Sequence, residues 1–193
     1  LPGGAIQKDI PELQLNLNSF VPGLAADEVA RVIEAAGVTN LFVEIGGEVM
    51  AIGHNANGTA WKIGIEKPDP STLPGEALEA VVQLSDKAIA TSGDYRSYFT
   101  DADGQVYSHI LNPKTGRPVK HRLASVSVVA KTCMVADALA TALFAMGPDA
   151  APEWLKQHPD VEALFIIRNE DGRFSEVLSP GFSESTGYKL IDD

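Results

Sequence analysis

The spacing of apolar and polar residues predicts two helices of different character. From Leu24 to Ala36 apolar residues recur every three or four positions, and Gly37 follows as a stop signal. From Thr132 to Gly147 nearly every residue is apolar, and most are Ala, Leu or Met, which are strong helix formers. A helix that is apolar all round is typical of a protein core, so we expect this second helix to be buried.

Alternation of apolar and polar residues predicts many short strands. Leu13, Leu15 and Leu17 alternate with polar neighbours, which indicates a half-buried strand, and the pair Gly46-Gly47 indicates a hairpin within 40–53. The other predicted elements are strands at 61–66, 78–84, 88–92, 105–111, 123–130, 161–168 and 174–178, a turn at 101–104 and a short helix at 151–157. Because strands outnumber helices and several are linked by hairpins, we predict a single α+β domain with a largely antiparallel sheet packed against the buried helix.

The predicted central helix carries two polar side chains among its apolar ones. Asp137 and Thr141 are four residues apart, so they lie on one face, one turn apart. A carboxylate in apolar surroundings is costly unless it is paired or binds a metal, and both side chains offer oxygen, the ligand type that Mg²⁺ prefers. Two interpretations stay open: a metal site in the core, or an Asp137 that caps a neighbouring loop while Thr141 bonds to its own helix.

Two other segments carry candidate chemistry. The sequence T-S-G-D-Y-R at 91–96 ends a predicted strand with small residues, so the backbone around Ser92 and Gly93, with the arginine that follows, could cradle a phosphate. An ordinary turn is the alternative. The sequence S-H-I-L-N-P-K-T-G-R-P at 108–118 places His109 near a strand end, where a histidine is either a general base or purely structural.

Charge and composition narrow the range of partners. The net charge of −11 opposes the binding of polyphosphates at long range, so we expect no nucleic-acid partner. A phosphate-bearing ligand would therefore need a cation or backbone N–H groups at its site. Glu44 and Glu48, which flank the glycine pair, are interpreted as solvated strand residues. The single cysteine, Cys133, excludes an internal disulfide and is expected in the core.

Taken in order, four segments resemble the ApbE family, the FAD:protein FMN transferases, which are exported bacterial flavin transferases. The segments are T-S-G-D-Y-R, S-H-I-L-N-P-x-T-G-x-P, L-A-S-V-S-V-V-A and A-D-A-L-A-T-A-L, and the stretch at 15–30 and the sequence E-I-G-G-E-V are similar to the family as well. The resemblance covers nearly all of the chain. It implies a single α+β domain that cleaves FAD, releases AMP and attaches FMN through a phosphoester to a threonine of a target protein, with Mg²⁺ required.

The resemblance also implies roles for individual residues. Asp137, Thr141 and Ser19 match metal-site positions of the family. Ala140 matches a further metal-site position that is Asp in some members, and here it could offer only its carbonyl. His109 matches the histidine proposed as the catalytic base. The residues expected to contact FAD are Asn16, Pro22, Leu111, Ser92 and Gly93.

The chain departs from the family pattern on the flavin side. Asn16 stands where Asp is frequent, Pro22 where Lys or Glu is frequent, and Leu24 where Tyr is frequent. These changes keep a flavin-binding protein without transferase activity as an alternative. A Mg-dependent FAD pyrophosphatase, which would pass FMN to water, and a structural subunit of a redox assembly are further alternatives.

The resemblance implies a longer protein outside the cytoplasm. Family members carry roughly one hundred or more residues upstream that help to bind FAD, and this chain begins at Leu1, so we expect it to be the C-terminal part of such a protein. We expect a periplasmic location or one on the outer side of the inner membrane, with peripheral association through a lipid anchor outside this chain. The expected acceptor is a subunit of a membrane redox complex.

Overall fold

The structure, a computed structural model, describes residues 6–73, 75–96, 98–100, 103 and 106–191. In chain order its elements are α1 (Val21–Ala35), β1 (Leu41–Ile45), β2 (Glu48–Ile52), β3 (Trp61–Glu66), β4 (Leu78–Leu84), β5 (Lys87–Gly93), β6 (Tyr98–Thr100), β7 (Val106–Ser108), β8 (Leu111–Asn112), β9 (Arg117–Pro118), β10 (Leu123–Ala130), α2 (Cys133–Leu155), β11 (Glu162–Arg168), β12 (Phe174–Leu178), α3 (Phe182–Thr186) and β13 (Lys189–Leu190).

The main sheet lies between a helical layer and a second, smaller sheet. Its six strands run antiparallel in the order β1-β2-β5-β10-β11-β12, and the smaller sheet has the order β13-β4-β3. Successive side chains of a strand point to opposite faces, so Val126 and Val128 of β10 join the core under the helices, whereas Val129 joins the core under the smaller sheet. The predicted α+β fold with a largely antiparallel sheet and a buried helix is confirmed.

The long helix α2 packs against β5 and β10 and is interrupted near its middle. It begins after Thr132, whose hydroxyl accepts a hydrogen bond from the N–H of Val135 at 3.4 Å. Gly147 has φ 84° and ψ 177°, and Pro148 then starts a second helical segment. The two helices predicted at 132–147 and 151–157 therefore follow one another without a loop. By length and composition α2 could cross a membrane, but in this fold it is the central helix of the core.

The two helices α1 and α2 cap one another through carboxylates. Asp27 of α1 accepts hydrogen bonds from the N–H groups of Cys133 and Met134, at 2.8 and 2.9 Å, in the first turn of α2. Asp137 of α2 in turn accepts one from the N–H of Gly23, at 3.0 Å, in the first turn of α1. These N–H groups lack partners inside their own helices, and negative charge is favourable at a helix N-terminus, so the two carboxylates hold the helix pair together.

Near the amino terminus the structure differs from the sequence prediction. Leu13, Leu15 and Leu17 form no strand, and their exposed fractions are 47%, 55% and 49%. Alternation predicts a strand only where a partner strand and a buried face exist, and the described residues offer this segment neither. Helix α1 also begins earlier than predicted, at Val21, because Pro22 fits the first turn of a helix.

The chain after β5 forms more and shorter strands than the sequence predicted. The strand predicted at 105–111 is split into β7 and β8, because the chain turns at Ser108, whose hydroxyl accepts a hydrogen bond from the N–H of Ile110 at 3.1 Å. Most of the turn predicted at 101–104 lies outside the described residues. Strands β6 and β13 and helix α3 were not predicted, and each is five residues or shorter.

Removing the Asp27 carboxylate should destabilise the fold. In Asp27→Ala two N–H groups at the start of α2 lose their acceptor, which we expect to cost about 1–3 kcal/mol in the free energy of unfolding. Urea unfolding followed by far-UV circular dichroism measures the change. Glu28→Ala is the control, since it also replaces an acidic residue of α1 by alanine and breaks only an exposed pair with Arg31. Equal unfolding midpoints for the two variants would contradict the capping role.

Candidate functional site

A cleft of about 850 Å³ opens between the helical layer and the smaller sheet, beside the turn that joins β1 to β2. Its walls come from the first turn of α1, from α2, from the Gly46-Gly47 turn, from β3 and from the end of β5, and His109 lies at its rim. A volume of this size is typical of sites for small molecules and cofactors. We therefore take this cleft as the candidate site.

Asp137 and Thr141 lie in the helical wall of the cleft. Asp137 is 5% exposed, and burial raises the pKa of its carboxyl, while the hydrogen bond from Gly23 opposes that shift. Asp137 therefore does cap a neighbouring segment, but that segment is the first turn of α1 and not a loop, and the same residue lines the cleft. The Thr141 hydroxyl lies 3.0 Å from that of Ser92, so the expected bond to its own helix is not what the structure shows.

The last residues of β5 form a second wall. Ser92 shares the helix-facing side of the strand with Ala90, whereas Thr91 points the other way and bonds to Ser127 of β10 at 2.7 Å. The ladder between β2 and β5 ends at the pair Val49 and Ile89, so the segment beyond it faces the cleft. The predicted phosphate-binding segment at Ser92 and Gly93 is therefore a strand end at the cleft rather than a free turn.

Arg96, the arginine of this segment, forms an ion pair with Glu66 instead of pointing a free guanidinium into the cleft. Arg96 donates to Glu66 of β3 through Nε and Nη2, at 3.0 and 2.7 Å, which ties the chain after β5 to the smaller sheet. Its guanidinium also lies over the ring of Tyr95, 5.1 Å from the centroid, and burial raises the pKa of Tyr95 to about 12. The prediction that this arginine serves a phosphate is not supported, because its donors already hold a carboxylate.

Glu48 is the residue that sequence reasoning missed. Burial, followed by the negative charge of Asp137, raises the pKa of Glu48 to about 7. Its Oε2 atom is buried and has no hydrogen-bond partner among the described residues. The interpretation as a solvated strand residue is therefore wrong for Glu48, although it fits the exposed Glu44. Alternation does place Glu48 on the same face as Met50, which packs against the core under the helices, but the pattern alone does not show that this face is covered.

The other predicted site residues divide into two groups. Pro22, in the first turn of α1, and His109, exposed after β7, line the cleft together with Asp137 and Thr141. Asn18, which the sequence analysis did not single out, lines it as well. The structure thus brings together residues that are more than one hundred positions apart in the sequence.

Four predicted residues are not among the described residues that line the cleft. Ser19 lies in the turn before α1, and the side chain of Asn16 accepts the N–H of Asn18 at 2.9 Å. Leu111 is 54% exposed on β8, and Ala140 is fully buried in α2, where its side chain packs in the core. Their roles in binding FAD or a metal stay predictions.

The oxygen donors in the cleft fit a hard divalent cation. Among the described residues no group of three or more His, Cys, Asp and Glu is placed to hold a metal. Mg²⁺ does not need such a group, because it is commonly held by one or two carboxylates and keeps several waters. Asp137, with Thr141 and Ser92 on the neighbouring wall, offers a carboxylate and hydroxyls, and the orphaned oxygen of Glu48 lies in the same cleft.

Comparison with known proteins finds relatives that all belong to one family. The ApbE family model matches residues 2–165. The FAD:protein FMN transferase of Vibrio cholerae is 41% identical over 182 residues, which cover 94% of this chain and 53% of that protein. The FAD:protein FMN transferase of Escherichia coli K12 is 38% identical over 177 residues, covering 92% of this chain and 49% of that protein. The chain thus spans about half the length of the curated relatives it matches.

Solved structures agree with the sequence relatives. The flavin transferase ApbE from Vibrio cholerae superposes with a TM-score of 0.78 at 41% identity, covering 92% of this chain and 54% of that one. The ApbE protein from Thermotoga maritima superposes with a TM-score of 0.73 at 32% identity, covering 89% and 53%. Since the family model covers most of the chain and the fold agrees with solved members, this chain belongs to the ApbE family.

Proposed function

We propose that this chain carries the catalytic site of a Mg-dependent FAD:protein FMN transferase, which moves FMN from FAD to a threonine hydroxyl of an acceptor protein. The observation that carries the proposal is that Asp137, Thr141 and His109 line one cleft, in a chain 41% identical to a named FAD:protein FMN transferase. Free FAD pyrophosphatase activity would use the same residues, and the fate of FMN distinguishes the two reactions.

Each of the three residues has a task in this reaction. Asp137 and Thr141 would hold Mg²⁺, which neutralises phosphate charge when bound. His109, exposed at the rim, would accept the proton of the threonine hydroxyl. The threonine oxygen forms a bond to the FMN phosphorus while the bond from that phosphorus to the bridging oxygen breaks. AMP leaves with the electron pair of the broken bond.

The form of the cleft supports a protein acceptor. His109 lies at the open rim, whereas Asp137 is buried against the helices, so a threonine on another protein could reach the base while phosphate groups lie deeper. Phosphoryl transfer depends mainly on positioning and charge neutralisation, and both can come from fixed walls such as α2 and β5. By family resemblance we propose a periplasmic or membrane-anchored location and a redox-complex subunit as the acceptor.

Replacing Asp137 should remove the dependence on Mg²⁺. In Asp137→Asn the amide oxygen can still accept from the N–H of Gly23, so the fold should persist, as circular dichroism would verify. We expect FMN transfer to fall by at least about a hundredfold. Replacing a residue that only hydrogen-bonds to a metal ligand already lowers metal affinity or activity about 10–100-fold. The measurement is the mass of an acceptor protein after incubation with FAD across a Mg²⁺ series. Asp160→Asn, at an exposed position, is the control, and unchanged Mg-dependent transfer in Asp137→Asn would refute the assignment.

Replacing His109 should slow turnover rather than binding. Loss of a general base typically costs about a hundredfold or more, so His109→Ala should lower the rate of AMP release by that factor and leave the affinity for FAD nearly unchanged. Rates come from AMP quantification, and affinity from flavin fluorescence titration. His158→Ala is the control, since His158 stacks on Trp154 and is not among the described cleft residues. If His109→Ala turns over as fast as the parent, His109 is not the base.

A further inference from the structure

We propose that Glu48 supplies a second carboxylate to the cation site built on Asp137, holding the cation directly or through one of its bound waters. This inference rests on the proposed function, because it extends the same site. It adds a residue from the sheet to a site that the sequence assigned to α2 and to the turn before α1.

The β1–β2 hairpin fixes where the Glu48 side chain points. Gly46 and Gly47 have φ angles of 69° and 104°, so both adopt the left-handed conformation of a two-residue hairpin turn, which glycine tolerates best. The turn sets Ile45 opposite Glu48 in the ladder. Directly opposed residues share a face, and Ile45 packs in the core under the helices, so Glu48 projects toward α1 and α2. A one-residue slip would reverse this face.

The turn also packs closely on the Glu48 carboxylate. A Cβ added to Gly46 would lie 3.0 Å from Oε2 of Glu48 and 4.0 Å from Cβ of Pro22, in the first turn of α1. A side chain at position 46 would therefore crowd the carboxylate. The glycine leaves the space in which Glu48 folds back toward the start of α1, where the N–H of Gly23 binds Asp137.

Three carboxylates lie near the start of α2, and they differ in how many hydrogen bonds they accept. Asp27 accepts from the N–H of Cys133, Asp137 accepts from Gly23, and the Glu48 carboxylate folds back toward Pro22, the neighbour of Gly23. Burial, and then the charges of these three carboxylates, raise the pKa of Cys133 to about 12. Asp27 accepts two backbone N–H groups and Asp137 accepts one. Glu48 Oε2 accepts none among the described residues. A buried carboxylate oxygen without a donor is costly, so this position calls for a positive partner.

The cationic side chains of the cleft do not fill that need. Arg96 is bound to Glu66, and Lys62 comes from β3, on the other side of the main sheet from Glu48. A divalent cation held between Glu48 and Asp137 would satisfy the orphaned oxygen and cancel the repulsion between two like charges. A cation held by two carboxylates would still have room among its ligands for water and for the phosphate oxygens of an approaching FAD.

The direct test is cation binding by the protein containing this chain, without FAD or acceptor. Mn²⁺ binding is followed by electron paramagnetic resonance, and Mg²⁺ by competition, for the parent and for Glu48→Gln, Glu44→Gln and Asp137→Asn. We expect Glu48→Gln to weaken Mn²⁺ affinity about tenfold or more, as expected for loss of a group that directly or indirectly supports a metal. Glu44→Gln is the comparison for the loss of one negative charge in the same cleft. Because Glu44 is exposed on the opposite face, this variant should weaken Mn²⁺ affinity less than Glu48→Gln does, and an equal loss would contradict a direct role for Glu48.

Thermal unfolding separates a lost cation site from a damaged fold. Without divalent cations, Glu48→Gln should unfold at the same temperature as the parent or at a higher one, because the amide removes a half-buried charge whose Oε2 atom has no donor among the described residues. Added Mg²⁺ should raise the unfolding temperature of the parent more than that of Glu48→Gln, since a ligand stabilises only the state that binds it. A lower unfolding temperature without cation would contradict the proposed unsatisfied carboxylate.

The outcomes distinguish this inference from the proposed function. If Asp137→Asn loses Mn²⁺ while Glu48→Gln binds it as the parent does, the role of Glu48 is refuted and the site on Asp137 stands. If Glu48→Gln loses FMN transfer with unchanged Mn²⁺ affinity, Glu48 acts in another way and the inference is also refuted. If the parent binds no cation, the Mg-dependent function and the role of Glu48 both fail.

Discussion

The close crossing of α1 and α2 at Gly23 is the constraint on which the site depends. A Cβ at this position would lie 2.5 Å from the carbonyl oxygen of Cys133, so a residue with a side chain would push the helices apart. At this distance the N–H of Gly23 reaches Asp137, and Asp27 reaches the N-terminus of α2. The carboxylate that lines the cleft is thus held by the same contact that joins the helices.

The sheet contributes the rest of the site through the unequal lengths of its strands. Strand β5 pairs with β10 as far as Gly93, whereas its ladder with β2 ends at Ile89. The cleft occupies the space beside this unpaired edge, and the β1–β2 turn borders it. Because alternate residues of β5 face opposite layers, Ser92 meets Thr141 of α2 while Thr91 bonds within the sheet. Because β5 extends beyond the end of its ladder with β2, its last residues connect the helical wall of the cleft to the smaller sheet.

Many strands and one wall of the site could be predicted from the sequence, because at these places the local pattern and the tertiary environment agree. The strands at 61–66, 78–84 and 123–130 have the predicted bounds, because their alternating or apolar runs end at clear breaks. The spacing of Asp137 and Thr141 identified one wall of the site for the same reason, since a buried helix makes each polar residue conspicuous.

The errors arise where the environment overrides local pattern. The alternating leucines at 13–17 resemble a strand but have no described partner, and Glu48 resembles a solvated strand residue but faces the helices. No local signal states which face of a hairpin is covered; that depends on α1 packing over β1 and β2. With α1 known to cover the face that carries Ile45 and Met50, the register of the hairpin places Glu48 inward.

The charge balance of the cleft connects its stability to its chemistry. A chain of net charge −11 that is to bind a pyrophosphate would be expected to line the site with cations, yet this cleft contains Glu44, Glu48, Glu66 and Asp137. Arg96 is neutralised by Glu66, so the described lining residues add little positive charge beyond that of Lys62. The nearby carboxylates Glu48 and Asp137 repel one another, and the proposed cation would offset that cost. In that arrangement the bound cation would supply the positive charge that attracts the phosphate, and the carboxylates of the cleft would determine where the cation binds.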